Sequence, residues 1–243
     1  MTVKGIDVAW ARPTVAEIKG VGAHFVCRYF STDASKNLHA SEVTSYEAAG
    51  LGTVVVWETT AGRATAGHAA GVADAKAADA QRKVVGLPAD MPIHFAVDTD
   101  VSWSVVQPYF DGVISVISSV RTGCYGGVKV IDGAHAHGIQ YLWQTAAWSG
   151  GVWSSHATIR QTGGTALAGG ADLDEAETAD FGQYPRPSKP APKAKVSLAH
   201  VIAAAKHDPA AAQGHTTYKA EVLIVEKALT AEGLLAAQYV DGS

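Results

Sequence analysis

The sequence predicts an α/β protein built on a TIM-like barrel of about five βα units, followed by three late strands short of helices, with a small helical region at the C-terminus. Three observations carry this. Eight strand-like runs recur along residues 1–184, and several are almost wholly apolar, such as Val54-Val55-Val56-Trp57. Such runs suit strands covered on both faces. Helix-length segments rich in Ala, Glu and Lys separate the early runs, the alternation expected of βαβ units. After Gly126 the spacing shortens to about a dozen residues, close to the roughly 10–12 that a helical crossover needs at minimum. Eight strands can close into a barrel.

The strand-like runs are Gly5–Trp10, Ala23–Phe30, Leu51–Trp57, Pro92–Asp98, Val120–Gly126, Gly138–Trp143, Ala157–Gln161 and Ala171–Leu173. The clearest helical segments are Ser41–Ala49, with Ser41 placed to cap it, then Thr65–Gly86 and Val105–Ser119. The links after strand five are rich in Gly, Ser, His and Trp, and Gly163-Gly164 and Gly169-Gly170 read as turns. Residues 185–195, PRPSKPAPKAK, hold four prolines and four cations without an acid or a large apolar side chain. That composition reads as an extended linker. Residues 196–243 follow, with apolar residues at helical spacing over 196–206 and 218–233.

Composition narrows the function. Of 243 residues, 47% are hydrophobic and 17% charged, against about 25% charged in an average domain. The chain is therefore globular with a large core. The net charge of −4 divides into an acidic part, residues 1–184 with 12 Lys+Arg against 18 Asp+Glu, and a basic remainder with 7 against 5. An acidic main domain argues against a nucleic-acid partner. No apolar run is long enough for membrane insertion. Residues 1–13 lack the apolar stretch of a secretory signal. Cys27 and Cys124 sit in apolar runs and read as small buried thiols. Walker A, Gly-x-Gly-x-x-Gly, Gly-x-Ser-x-Gly and His-Glu-x-x-His motifs are absent. His135, His137 and His156 lack the spacing of a zinc set, so neither metal nor cofactor is expected.

In a barrel of this type the chemistry gathers at the C-terminal strand ends. Acids fall there on several strands: Asp7 on strand one, Glu58 after strand three, Asp98 and Asp100 at strand four, and Asp172 and Asp174 on strand eight. A lone buried carboxylate is costly, so a set on separate strands points to chemistry. Residues i and i+2 share a face, so Asp98 and Asp100 both enter the cleft unless the strand has already ended. Paired carboxyls held in different protonation states are what glycosidic cleavage requires. Trp10, Tyr29, Tyr125, Trp143 and Trp148 offer flat faces on which sugars could stack. Arg28, Gln144 and Gln161 complete the polar strand ends.

The stretches Gly5-Ile6-Asp7, His24–Tyr29, Glu47–Leu51, Pro92–Asp100 and Gly123–Gly126 together resemble the glycoside-hydrolase-like domain family DUF1906, which is related to the GH25 muramidases. The likeness runs over about residues 3–184. It implies a distorted barrel that cleaves peptidoglycan glycan strands. By this resemblance Asp7, Asp98 and Asp172 match three acids of the GH25 pattern. Asp100 stands where that pattern has the proton-donating Glu, one methylene shorter. Glu58 is the rival donor, in a Trp-Glu ending similar to the DUF1906 group. The implied catalytic set is Asp7, Glu58, Asp98 and Asp100, and the implied substrate-binding set is Arg28, Tyr29, Tyr125, Trp143, Gln144, Gln161 and Asp172. Residues 213–218 and 239–243 resemble C-terminal peptidoglycan-binding regions of phage endolysins, broken off within the Asp-Gly motif. The expectation is a monomeric endolysin whose partner is cell-wall peptidoglycan, made in the cytoplasm of a phage-infected host. The alternatives are a wall-binding barrel without catalysis and, on the histidines alone, a zinc amidase.

Overall fold

The computed structural model describes residues 2–187. Eight strands close into a barrel in sequence order: β1 (Val3–Asp7), β2 (Phe25–Phe30), β3 (Gly52–Trp57), β4 (Ile93–Ala96), β5 (Thr122–Gly126), β6 (Tyr141–Thr145), β7 (Ile159–Ala166) and β8 (Ala171–Ala176). Helices follow each of the first five: α1 (Val15–Gly20), α2 (Ala40–Ala48), α3 (His68–Val84), α4 (Trp103–Ile117) and α5 (Val128–Ala136). The five βα units and three helix-poor late strands match the sequence reading. Two of the helices, α1 and α5, lie in links too short to stand out by periodicity. Helix α1 is fixed by a capping box, in which Thr14 N donates to Glu17 Oε2 at 2.8 Å and Glu17 N donates back to Thr14 Oγ1 at 3.3 Å.

Alternation divides the strand residues between the barrel interior and the apolar clusters outside it. Facing inward are Cys27 and Tyr29 on β2, Val54 and Val56 on β3, Ala96, Tyr125, Trp143 and Ile159. Facing outward, Val55, Trp57, Phe95, Cys124 and Leu142 pack with residues of α3, α4 and α5. Both cysteines are buried free thiols. Helices α3 and α4 cross closely enough that a Cβ on Gly71 would lie 1.9 Å from the carbonyl oxygen of Tyr109. Only glycine fits there. Beside β7, Arg160 and Glu177 pair at 3.3 Å, while Ala171 and Leu173 of β8 join an apolar cluster with Ile6, Ile18 and Val26.

Strands β1 to β7 run parallel, while β8 is antiparallel to both β7 and β1. This reversal places the start of β8 at the barrel's C-terminal mouth, with Asp172 in register with Asp7. A parallel eighth strand would carry Asp172 to the opposite end. The barrel unit runs on to Pro187, and within the expected linker Arg186 Nη2 donates to Asp180 Oδ2 at 2.8 Å. The remaining linker and the helices expected in 196–243 lie outside the described residues. Among the described residues no helix is long and apolar enough to cross a membrane.

Candidate active site

A cleft of about 590 Å³ opens at the C-terminal mouth of the barrel. Strand β1 ends by turning Asp7 inward, where it is buried. Tyr29 Oη donates to its Oδ1 at 2.9 Å, and Gln161 Nε2 donates to its Oδ2 at 2.8 Å. Tyr125 Oη in turn donates to Gln161 Oε1 at 2.8 Å, which fixes the amide's orientation. Burial, reinforced by the nearby charges of Asp172 and Glu58, lifts the Asp7 carboxyl from 3.8 to about 6, although both hydrogen bonds pull the other way. Asp7 is thus poised to titrate near neutral pH.

Glu58 follows the last residue of β3, where its backbone N–H still bonds to the carbonyl of Phe30. Its side chain enters the cleft and meets Lys36 Nζ at 2.6 Å. Lys36 comes from the loop after β2, nearly buried, with its ammonium 4.6 Å from the Trp10 ring centroid and 5.5 Å from that of Tyr29. Asp98 follows β4 by two residues and turns inward into the cleft, half-buried. It accepts no hydrogen bond from a described residue. Burial first, then the charge of Glu58, raises its pKa, while Lys36 counters in part. Two neighbouring carboxyls therefore sit in unlike surroundings, Glu58 in direct contact with the ammonium and Asp98 only within reach of its field.

Asp172 lies on the rim, exposed, within 3.4 Å of Gln161 Nε2. Trp10 and Trp148 also line the cleft.

The structure brings Asp7, Glu58, Asp98, Tyr29, Tyr125, Gln161 and Asp172 into this one cleft. Four other expected site residues lie elsewhere. Asp100 is outside it: β4 ends at Ala96, the i, i+2 alternation is lost, and the side chain is exposed and 3.6 Å from Lys129 Nζ. Arg28 points away from the barrel axis, fully buried, where it pairs with Glu42 at 3.0 Å and donates to the carbonyls of Val8 and Ala9. It ties α2 to the end of β1. Gln144 also faces outward and pins the loop after β6, receiving the Ser154 N–H and donating to Ser149 Oγ and Val152 O. Trp143 faces inward but lies beneath the cleft, its Nε1 donating to Asp174 Oδ1 at 2.8 Å. Asp174 is itself buried, and burial together with the charge of Asp7 drives its pKa well above the carboxylate range.

Two polar cleft residues were not foreseen. Thr145 was readable, since it shares the inward face of Tyr141 and Trp143 at i+2. Lys36 sits six residues beyond β2 in an irregular loop and has no sequence signal. Of the histidines, His135 and His156 stack at 3.6 Å, and His137 binds Asp111 at 2.8 Å. Among the described residues no group of three or more metal-ligating side chains is assembled.

A closed α/β barrel with carboxylates gathered in a cleft at its mouth defines a glycoside-hydrolase-like barrel. Residues 16–180 match the family described as Rv2525c-like, glycoside hydrolase-like domain, and the chain belongs to that family. The Tat-secreted protein Rv2525c of Mycobacterium tuberculosis, solved with HEPES, is 26% identical, with 75% of this chain and 98% of that one covered at a TM-score of 0.69. The modular autolysin LytC of Streptococcus pneumoniae, solved with a synthetic peptidoglycan ligand, shares the fold at 13% identity. The match covers 72% of this chain and 46% of LytC, with a TM-score of 0.54. A muramidase from Trichobolus zukalii shares it at 19% identity, covering 72% of this chain and 94% of that one, with a TM-score of 0.51. No curated protein matches the chain.

Proposed function

We propose that the barrel is a muramidase-type glycosidase that cleaves the glycan strands of bacterial cell wall, acting as a monomer in an endolysin made in the cytoplasm of a phage-infected host. The observation that carries the catalytic reading is the Asp98–Glu58 pair. Two carboxyls in unlike surroundings can divide the acid and base roles, and here Glu58 contacts the Lys36 ammonium at 2.6 Å while Asp98 does not. Asp98, with its raised pKa and no hydrogen-bond partner among the described residues, is the general acid that protonates the leaving glycosidic oxygen. Glu58, matched to the Lys36 ammonium, is the ionised carboxylate that supports positive charge developing on the sugar, or activates water against it. Asp7, held by Tyr29 and Gln161, and Asp172 on the rim bind and orient the sugar hydroxyls. This assignment gives Asp98 the donor role expected of Asp100 or Glu58.

The muramidase and peptidoglycan-bound autolysin among the structural neighbours support the substrate class. The endolysin role rests on the resemblance of the tail. The position of Asp100 favours one competing reading, a barrel that binds wall without cutting it. Release of new reducing ends from purified peptidoglycan separates the two. Release by the wild type that is lost in Asp98→Asn supports catalysis, whereas sedimentation with wall and no release supports binding alone.

A further inference from the structure

Four non-glycine residues in the described chain adopt left-handed backbone conformations: Ser118, Trp148, Leu167 and Ala168. Three of them border the cleft. Trp148 lines it, and Leu167 and Ala168 directly precede its lining residues Gly169 and Gly170. For a bulky residue a φ of 56° is a true outlier that costs on the order of 1–3 kcal/mol. Such strain persists only where surrounding structure imposes it, and it gathers at functional sites.

The surroundings of Trp148 do impose it. The next residue, Ser149, is buried, and its Oγ donates to Thr145 O at 2.6 Å while receiving Gln144 Nε2 at 3.0 Å and Val128 N at 3.1 Å. Beneath the turn lies Gly127, where a Cβ would come within 2.9 Å of the Trp148 carbonyl oxygen and 3.0 Å of its Cβ. A residue larger than glycine would lift the turn. All this machinery holds in place a tryptophan that is still 37% exposed, so the residue is not there to fill a core.

We propose that Trp148 is a pre-set platform at the lip of the cleft, a binding subsite for the apolar face of a pyranose ring in a glycan chain. The proposal rests on the glycosidase reading and deepens it. A ring fixed before binding loses little conformational entropy on contact, which is what preorganisation contributes to affinity. Across the mouth, Trp10 is 63% exposed and packs against Lys36, on the side of the cleft that holds Glu58. A bound glycan would run between the two indoles and over the carboxylates.

Trp148→Gly is the discriminating variant, because glycine takes a positive φ without strain. The protein's affinity for solubilised peptidoglycan glycan fragments, and for an N-acetylglucosamine oligomer, is measured by calorimetry beside its melting temperature. The expected result is affinity about 10-fold weaker, of the order a well-placed aromatic face supplies, with a melting temperature equal to or above that of the wild type. Trp148→Phe, which keeps a flat ring, should recover most of the affinity. Unchanged affinity in Trp148→Gly overturns the subsite while leaving the glycosidase reading intact. A melting temperature lowered by several degrees together with weaker binding overturns it too, because the ring would then be a structural part of the loop. A wild type that neither binds nor cleaves any of these glycans removes both the subsite and the reading it rests on.

Discussion

Replacing Asp7 by Asn should stabilise the protein at alkaline pH but not at acid pH. A carboxyl lifted from 3.8 to about 6 on folding binds its proton more tightly in the native than in the unfolded chain. Stability therefore falls as pH rises from the unfolded value to the folded one, and the deficit is complete above it. The shift corresponds to about 3 kcal/mol at pH 8 and only about 0.5 kcal/mol at pH 4. Asn resembles the protonated acid and has no charge to desolvate. It still accepts from Tyr29, but its NH₂ faces the Gln161 amide and forfeits roughly 1 kcal/mol at every pH. The variant should thus gain about 2 kcal/mol at pH 8, near 4–8 °C in melting temperature for a chain of this size, and lose about 0.5 kcal/mol at pH 4. Urea unfolding of both proteins at the two pH values reads this directly. Equal destabilisation at both pH values would instead make the ionised carboxylate a net stabiliser of the fold. Active sites are where stability is given up for function, and Asp7 should follow that pattern by losing glycan affinity as it gains stability.

Further expectations follow from the same geometry. Asp98→Asn should lower wall hydrolysis by about 10²–10⁴-fold, the usual worth of a general acid, whereas Asp100→Asn should stay within about threefold in a reducing-end assay. Lys36→Met removes the cation that partly offsets the rise at Asp98, so the Asp98 limb of the pH–rate profile should move to higher pH. A limb that moves down or stays fixed would detach Lys36 from the site. Arg28→Met should cost several kcal/mol in denaturant unfolding, because it leaves Glu42 half-buried without its inner partner, yet the folded fraction should keep the wild-type KM. Gly71→Ala should destabilise by about 1–3 kcal/mol or more through overpacking at the α3–α4 crossing, with the slope of the denaturant curve unchanged.

The barrel was legible in the sequence because covered parallel strands are apolar on both faces, and Val54-Val55-Val56-Trp57 cannot be mistaken for an exposed segment. Asp7, Glu58 and Asp98 were legible for the complementary reason, as charges at the ends of apolar runs. Asp100 was misjudged because strand alternation was carried past Ala96, where the ladder stops. Arg28 and Gln144 were misjudged for the opposite reason. They lie within regular strands, beside inward-facing Tyr29 and Trp143, and period two sends them outward, into buried contacts with Glu42 and with the loop at Ser149 and Val152. The antiparallel course of β8 leaves no trace in a six-residue segment, although it decides which end of the barrel receives Asp172. Lys36 could not be foreseen, since a loop's path, unlike a strand's, has no period.

Single-turnover digestion of purified peptidoglycan reads out whether the Asp98–Glu58 pair makes this cleft catalytic. Reducing ends counted for the wild type, Asp98→Asn and Glu58→Gln should show release by the wild type and near-complete loss in both variants, each still folded by circular dichroism. Release that persists in both folded variants would leave the pair without a catalytic role.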